Sequence, residues 1–178
     1  MKLFLAAVLL LLGTLATAQT SKNTGFEARF EARVMRVVDG ATLVVRKADK
    51  TEQTVRLRHI DAPQMCQPGG PQSQQALVNL ALGNDVQVRP IGRNQTDPLV
   101  AAVGVLVPAT DASGEASTSS DLSRRQVEQG HAVSVLLRHD TGPLVKEERM
   151  AKALGRGLHA SGGAQAVRDF KRRGGRCP

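Results

Sequence analysis

Tryptophan and tyrosine are absent from this chain of 178 residues, and phenylalanine occurs only at positions 4, 26, 30 and 170. That excludes aromatic cages and long base-stacking ladders. Val, Leu, Ile and Ala must therefore build the interior, within a hydrophobic fraction of 41%. Acidic side chains are outnumbered: 24 Lys and Arg stand against 16 Asp and Glu, a formal +8 with an isoelectric point near 10.3. This excludes an acidic solvating or Ca²⁺-buffering protein and favours polyanionic partners. Long apolar runs are missing as well. The run at residues 3–12 is shorter than the roughly 20 residues of a spanning helix, so no transmembrane anchor is expected. The chain also has no Walker-type glycine loop, no HExxH and no GxSxG, which removes the commonest phosphate-loop, zinc-protease and serine-hydrolase readings.

Residues 1–18 have the pattern of an export signal: Lys2, the apolar run, then Ala16-Thr17-Ala18 as small residues before a cut. The mature chain would start near Gln19, with a loose polar start over 19–29. Losing Lys2 takes one charge from the formal +8 and leaves +7. An exported protein, periplasmic or secreted, is the expectation. Two cysteines remain, Cys66 and Cys177. In an oxidising compartment a disulfide between them is the first reading, and free thiols or a Cys/His metal site are the alternatives. Such a bond would pin the C-terminus to a loop after the first third of the chain.

Between those ends, one domain is expected over 30–160, followed by a basic tail over 161–178. Asp39-Gly40 interrupts two β-branched runs, 30–38 and 43–45, and marks a hairpin in which Gly accepts a positive φ. In a third strand Val55, Leu57 and His59 share one face and Arg56 and Arg58 the other, until Pro63 ends it. Ala76, Leu77, Leu80 and Ala81 lie at helical spacing, with Gly83 as a cap. Strands are expected over 86–91 and 99–107, a turn over 92–98 and a mobile, low-complexity loop over 108–120. A short helix over 121–129, an apolar strand-like return over 132–137 and a helix over 143–154 complete the domain. Five short strands with one helix between the third and fourth is the order of an OB-fold, an α+β β-barrel with about three helices. A split α+β sheet is the alternative.

The chemistry concentrates in RLRHIDAPQ, residues 56–64. Arg56, Arg58 and Asp61 bring cations and a carboxylate to one strand end, where they could hold a phosphate and a metal; an ion pair at a barrel rim is the plainer reading. His59, His131, His139 and His159 are scattered and suggest no nucleophile partner. Five cations between Arg168 and Arg176 read either as a solvated tail or as a polyanion-binding patch.

These motifs resemble the staphylococcal nuclease family, in an exported bacterial branch with a cysteine pair. The resemblance rests on VMRVVDGATLVV (34–45), VRLRHIDAPQ (55–64), QPGG with the helix after it, VEQGHA (127–132) and GRGLHA (155–160). It covers about residues 30–160. It implies an OB-fold phosphodiesterase that cleaves DNA and RNA with one Ca²⁺. By that likeness Asp61 matches a metal carboxylate, Ala62 supplies a metal-binding carbonyl, and Arg56 matches a phosphate-clamping Arg. Asp39 and Thr42 match the supporting turn. Three positions depart. Ala41 stands where the second metal carboxylate belongs, Gln64 where the Glu beside the attacking water belongs, and Ala101 where the second Arg belongs.

One remaining carboxylate makes a poor Ca²⁺ site, since the ion takes six to eight oxygens. An amide at Gln64 cannot take a proton from water. The expectation is therefore a degenerate nuclease that holds Ca²⁺ weakly or not at all. It would contact DNA, RNA or another polyanion through Arg56, Arg58, Lys171, Arg172 and Arg173. Two alternatives stand beside it: an active endonuclease whose missing groups come from Asp97, Asp111 or Glu115, and a protein-interaction module of the envelope.

Overall fold

The structure, a computed structural model, describes residues 29–91, 97–107, 117–137 and 141–177. The signal-like segment, the polar start as far as residue 28, most of the turn after 91 and residues 108–116 lie outside that range.

Strands β1 (Phe30–Asp39) and β2 (Thr42–Lys47) form the hairpin expected around Asp39-Gly40. Asp39 closes the turn, its Oδ1 accepting from the Ala41 N–H at 2.8 Å. The reason for Gly40 differs from the expected one. It is not among the positive-φ glycines; a Cβ there would instead lie 1.7 Å from Ser73 Oγ. Close approach of a helix, not turn geometry, demands the glycine.

On β3 (Glu52–Leu57) Val55 and Leu57 are buried and Arg56 is partly exposed, as the alternation requires. The strand stops at Leu57, short of the expected His59. His59 sits in a turn at φ 62°. There follow β4 (Ile60–Asp61), α1 (Gly70–Ala81), β5 (Asp85–Pro90), β6 (Leu99–Val107), β7 (Ser117–Asp121), α2 (Leu122–Glu128), β8 (Val133–Ser134), α3 (Val145–Ala153), a 3₁₀ turn (Gly157–His159) and α4 (Gly163–Arg172).

Strands run β3-β2-β1-β5-β6, each antiparallel to its neighbour, and a parallel pairing of β3 with β6 closes the ring. The result is a closed five-stranded mixed barrel with four helices, the OB-type, staphylococcal-nuclease-like α+β fold expected from the element order. Leu43, Val45, Val55, Leu57, Val86, Val88 and Val103 fill it, joined by Leu77 of α1 and Val127 of α2 in one buried cluster. The buried members of that cluster are all aliphatic, with Phe30 packed against them from the partly exposed side.

Two further expectations need correction. Part of the stretch read as a loop over 108–120 is strand β7, which pairs with the far half of β6. Its residues carry no apolar alternation, so hydropathy could not reveal it. Secondly, the segment read as a basic tail contains helix α4. Ala164 and Val167 pack with Leu158 and Val133 in a second buried cluster. The helix ends in a Schellman turn: Gly174, at φ 65°, donates to Lys171 O at 2.9 Å and Gly175 donates to Phe170 O at 3.0 Å. The expected disulfide is present between Cys66 and Cys177, 111 residues apart. A link across that separation is worth about 4 to 5 kcal/mol in the chain-entropy account.

Candidate functional site

A cleft of about 340 Å³ opens where the β1–β2 turn, the end of β3 and strand β4 meet helix α4, and Asp39, Arg56, Asp61, Ala62 and Gln64 all line it. Each is positioned by local structure. Register places Arg56 between Thr42 of β2 and Val100 of β6; with Val55 and Leu57 facing inward, its guanidinium is turned out of the barrel. Ile60 is buried and Asp61 pairs with Val133 of β8, so the short β4–β8 ladder presents the carboxylate to the cleft.

The other wall is the chain's own C-terminus. Val167, Phe170, Lys171, Gly174, Gly175 and Arg176 complete the lining. Lys171 Nζ lies 2.5 and 2.6 Å from the two oxygens of Asp61. Arg56 Nη2 donates to the same carboxylate at 3.2 Å. The Asp61 side chain is 13% exposed against 60% for Lys171, so a nearly buried carboxylate is satisfied by two cations. Gln64 is engaged too: its Oε1 accepts from the Cys177 N–H at 2.9 Å. Its own N–H donates to Gln67 Oε1 at 2.9 Å.

These contacts bear on whether the site suits a Ca²⁺. Both Asp61 oxygens accept from ammonium or guanidinium groups, and Asp39 is tied to the Ala41 N–H. Ala41 is a buried core residue with no donor of its own. Among the described residues no three of His, Cys, Asp and Glu converge as a metal cluster. The donor set in this arrangement does not fit an ion that takes six to eight oxygens.

Other residues singled out from the sequence sit elsewhere. Ala101 is fully buried in the barrel, paired with Leu57 and Pro90, and does not reach the cleft. Thr42 is buried beside Arg56. Arg58 turns to a separate shallow site, 3.6 Å from Asp121, whose Oδ1 also caps α2 by accepting from the Ser123 N–H. Arg172 pairs with Asp169, and Arg173 is exposed. Burial lowers the pKa of His131; burial first and then the Arg58 charge lower that of His59. Neither histidine lines the cleft. His139, Asp140, Asp111 and Glu115 lie outside the described residues.

Sequence reasoning missed Lys171 as the partner of Asp61, and Phe170 as part of the cleft wall. A signal existed: Ala164, Val167 and Lys171 fall at i, i+3 and i+7, and the expected Cys66–Cys177 bond brings residue 177 to a position close in the chain to Asp61.

Comparison with known proteins finds an uncharacterized endonuclease of Haemophilus influenzae, 29% identical over 102 residues. The similarity is to a nuclease. It covers 57% of this chain and 53% of that protein, so the chain spans about half the length of this relative. No family model matches the chain. Among the described residues no helix is long and apolar enough to cross a membrane.

Proposed function

We propose that this chain is an exported, staphylococcal-nuclease-like barrel whose phosphodiesterase site is degenerate and which binds nucleic acid or another polyanion weakly. The single observation that carries the reading is the saturation of Asp61 by Lys171 and Arg56. A nuclease of this type needs that carboxylate for a cation and the Arg for a phosphate, and here each partners the other. Gln64 supports the same reading. It serves as a hydrogen-bond acceptor for the backbone of Cys177, and its amide has no acid–base role to offer. Removing one preorganised charge from such a site costs about 10²- to 10³-fold in rate, and the losses at Ala41 and Gln64 act on one unit.

Binding is left to exposed cations. With no Tyr or Trp for stacking, which supplies about 1 to 3 kcal/mol per base, affinity comes from phosphate contacts and falls steeply with salt. The disulfide fits an exported protein.

The endonuclease likeness favours a second reading, an active enzyme with a remodelled site. One experiment separates the two: incubation of contaminant-free oxidised protein with DNA and RNA under Ca²⁺, Mg²⁺ and Mn²⁺, alongside filter binding over a salt series. The proposal expects no turnover with any ion, and binding with a negative log–log salt slope. Divalent-dependent cleavage would establish the enzyme, and binding with no salt slope would reject the polyanion reading.

A further inference from the structure

The outer face of the barrel carries a second group of cations, away from the cleft. On β5, Val86 and Val88 face the core, so Gln87 and Arg89 point outward. Register sets Gln87 opposite Gly104 of β6 and Arg89 opposite Ala102. On the other side of β6 the parallel ladder pairs Leu57 with Ala101. Arg58 extends that ladder, its N–H donating to Ala101 O at 3.0 Å, and so comes level with Ala102. Arg58 and Arg89 therefore stand on the two flanks of β6, two strand spacings or about 10 Å apart. Between them the floor is Ala102 and Gly104.

Both arginines line a shallow cavity of about 110 Å³ with Gln87, Ala102, Gly104 and Asp121. Their guanidiniums are oriented but only partly engaged. Arg89 Nε donates to Gln87 Oε1 at 2.6 Å, which aims the group and leaves its Nη donors without a partner among the described residues. Arg58 Nη2 lies 3.6 Å from Asp121 Oδ2, an attraction too long for a hydrogen bond. Asp121 is itself occupied as the cap of α2, its Oδ1 accepting from the Ser123 N–H at 2.8 Å. Two cations against one carboxylate leave the cavity positive. Arg56, by contrast, is engaged by Asp61.

We propose that Arg58 and Arg89 form a clamp on the outer face of β3, β6 and β5 that holds one backbone phosphate of nucleic acid astride Ala102. The inference rests on the polyanion reading above and gives that binding a place outside the cleft. Each guanidinium fork presents paired N–H donors that match the oxygens of a phosphodiester. The small floor lets a phosphate sit between the two forks, where a larger side chain at 102 would stand in its way. The contact fixes the position of a strand and carries no sequence preference of its own.

The test uses the oxidised mature chain with two probes, inorganic phosphate and a single-stranded oligonucleotide. Titrated with phosphate, the Nε–H signals of Arg58 and Arg89 should shift together along one binding curve, and Ala102→Leu, which keeps both charges, should abolish the shift. In oligonucleotide binding, Arg58→Gln/Arg89→Gln should flatten the log–log salt slope by about 0.7, the value for one lost contact on a single strand, with the thermal transition of the barrel retained. Arginine signals that phosphate leaves unmoved in wild type overturn the clamp without recourse to any variant. An unchanged slope in the double variant overturns it too, and a slope lower by about 1.4, the value for two contacts, overturns the sharing of one phosphate. Polyglutamate that displaces the oligonucleotide as well as a second nucleic acid strand does overturns the phosphodiester assignment. Wild type that binds with no salt slope rejects the polyanion reading itself, whereas binding that keeps its slope in the double variant rejects the clamp alone.

Discussion

Lys171 and Asp61 meet across 110 residues of sequence, with the ammonium nitrogen bridging both oxygens of a carboxylate that is largely shielded from water. The contact joins the last helix to the short β4–β8 ladder and turns the end of the chain into a wall of the cleft. A charge that deep in a cleft must be neutralised by something. In this chain a lysine does it.

The burial of Ala101 leads to the first expected outcome. Ala101 faces the barrel interior, so Ala101→Arg cannot supply a phosphate clamp; it forces a guanidinium into an aliphatic core. The cost is several kcal/mol, enough to abolish the cooperative thermal transition followed by circular dichroism. A variant that melted like the wild type would mean that this position faces the cleft after all.

Glu148 ties α3, β8 and α4 together, accepting from Arg168 and, at 3.0 Å, from the Ser134 N–H. Glu148→Ala leaves both donors without this partner and should lower stability in urea unfolding by about 2 to 3 kcal/mol. Glu148→Gln keeps an acceptor and should lose less. Equal losses for the two variants would rule out the hydrogen-bonding role.

Burial holds the His131 pKa below the ordinary 6.5. As pH falls, the unfolded chain then takes up this proton before the native chain does. The His131 contribution to stability is therefore fully present above pH 6.5 and declines as pH drops from there toward the native pKa. His131→Gln should flatten that part of the urea-midpoint profile. An unchanged profile would place the pH dependence on other groups.

Arg173 is exposed at the end of α4 and is free to meet phosphate. Arg173→Gln should reduce the log–log salt slope for duplex DNA binding by about 0.9, the value for one lost phosphate contact, with a uniform loss across sequences. A slope identical to the wild type would remove Arg173 from the binding surface.

What was legible beforehand divides along physical lines. The hairpin at Asp39-Gly40, the alternation of β3 and the capped helix α2 follow from local patterns, and the pairing of Cys66 with Cys177 from the expectation of an oxidising compartment. Strand β7 and helix α4 were not foreseen as elements. The first is held by backbone pairing to β6 and has no apolar alternation, while the second buries only Ala164 and Val167 in a segment rich in cations.

The amino-acid order by itself determined a barrel filled by aliphatic side chains, and it identified Arg56 and Asp61 as the groups to watch, because side-chain periodicity and turn chemistry act over a few residues. Only the folded chain decided what those groups touch. Ala101 was sent inward by the parallel β3–β6 register, and Lys171 was carried to Asp61 by the packing of α4 and a covalent tie to Cys66. Both depend on closure between segments far apart in sequence, which no local pattern encodes.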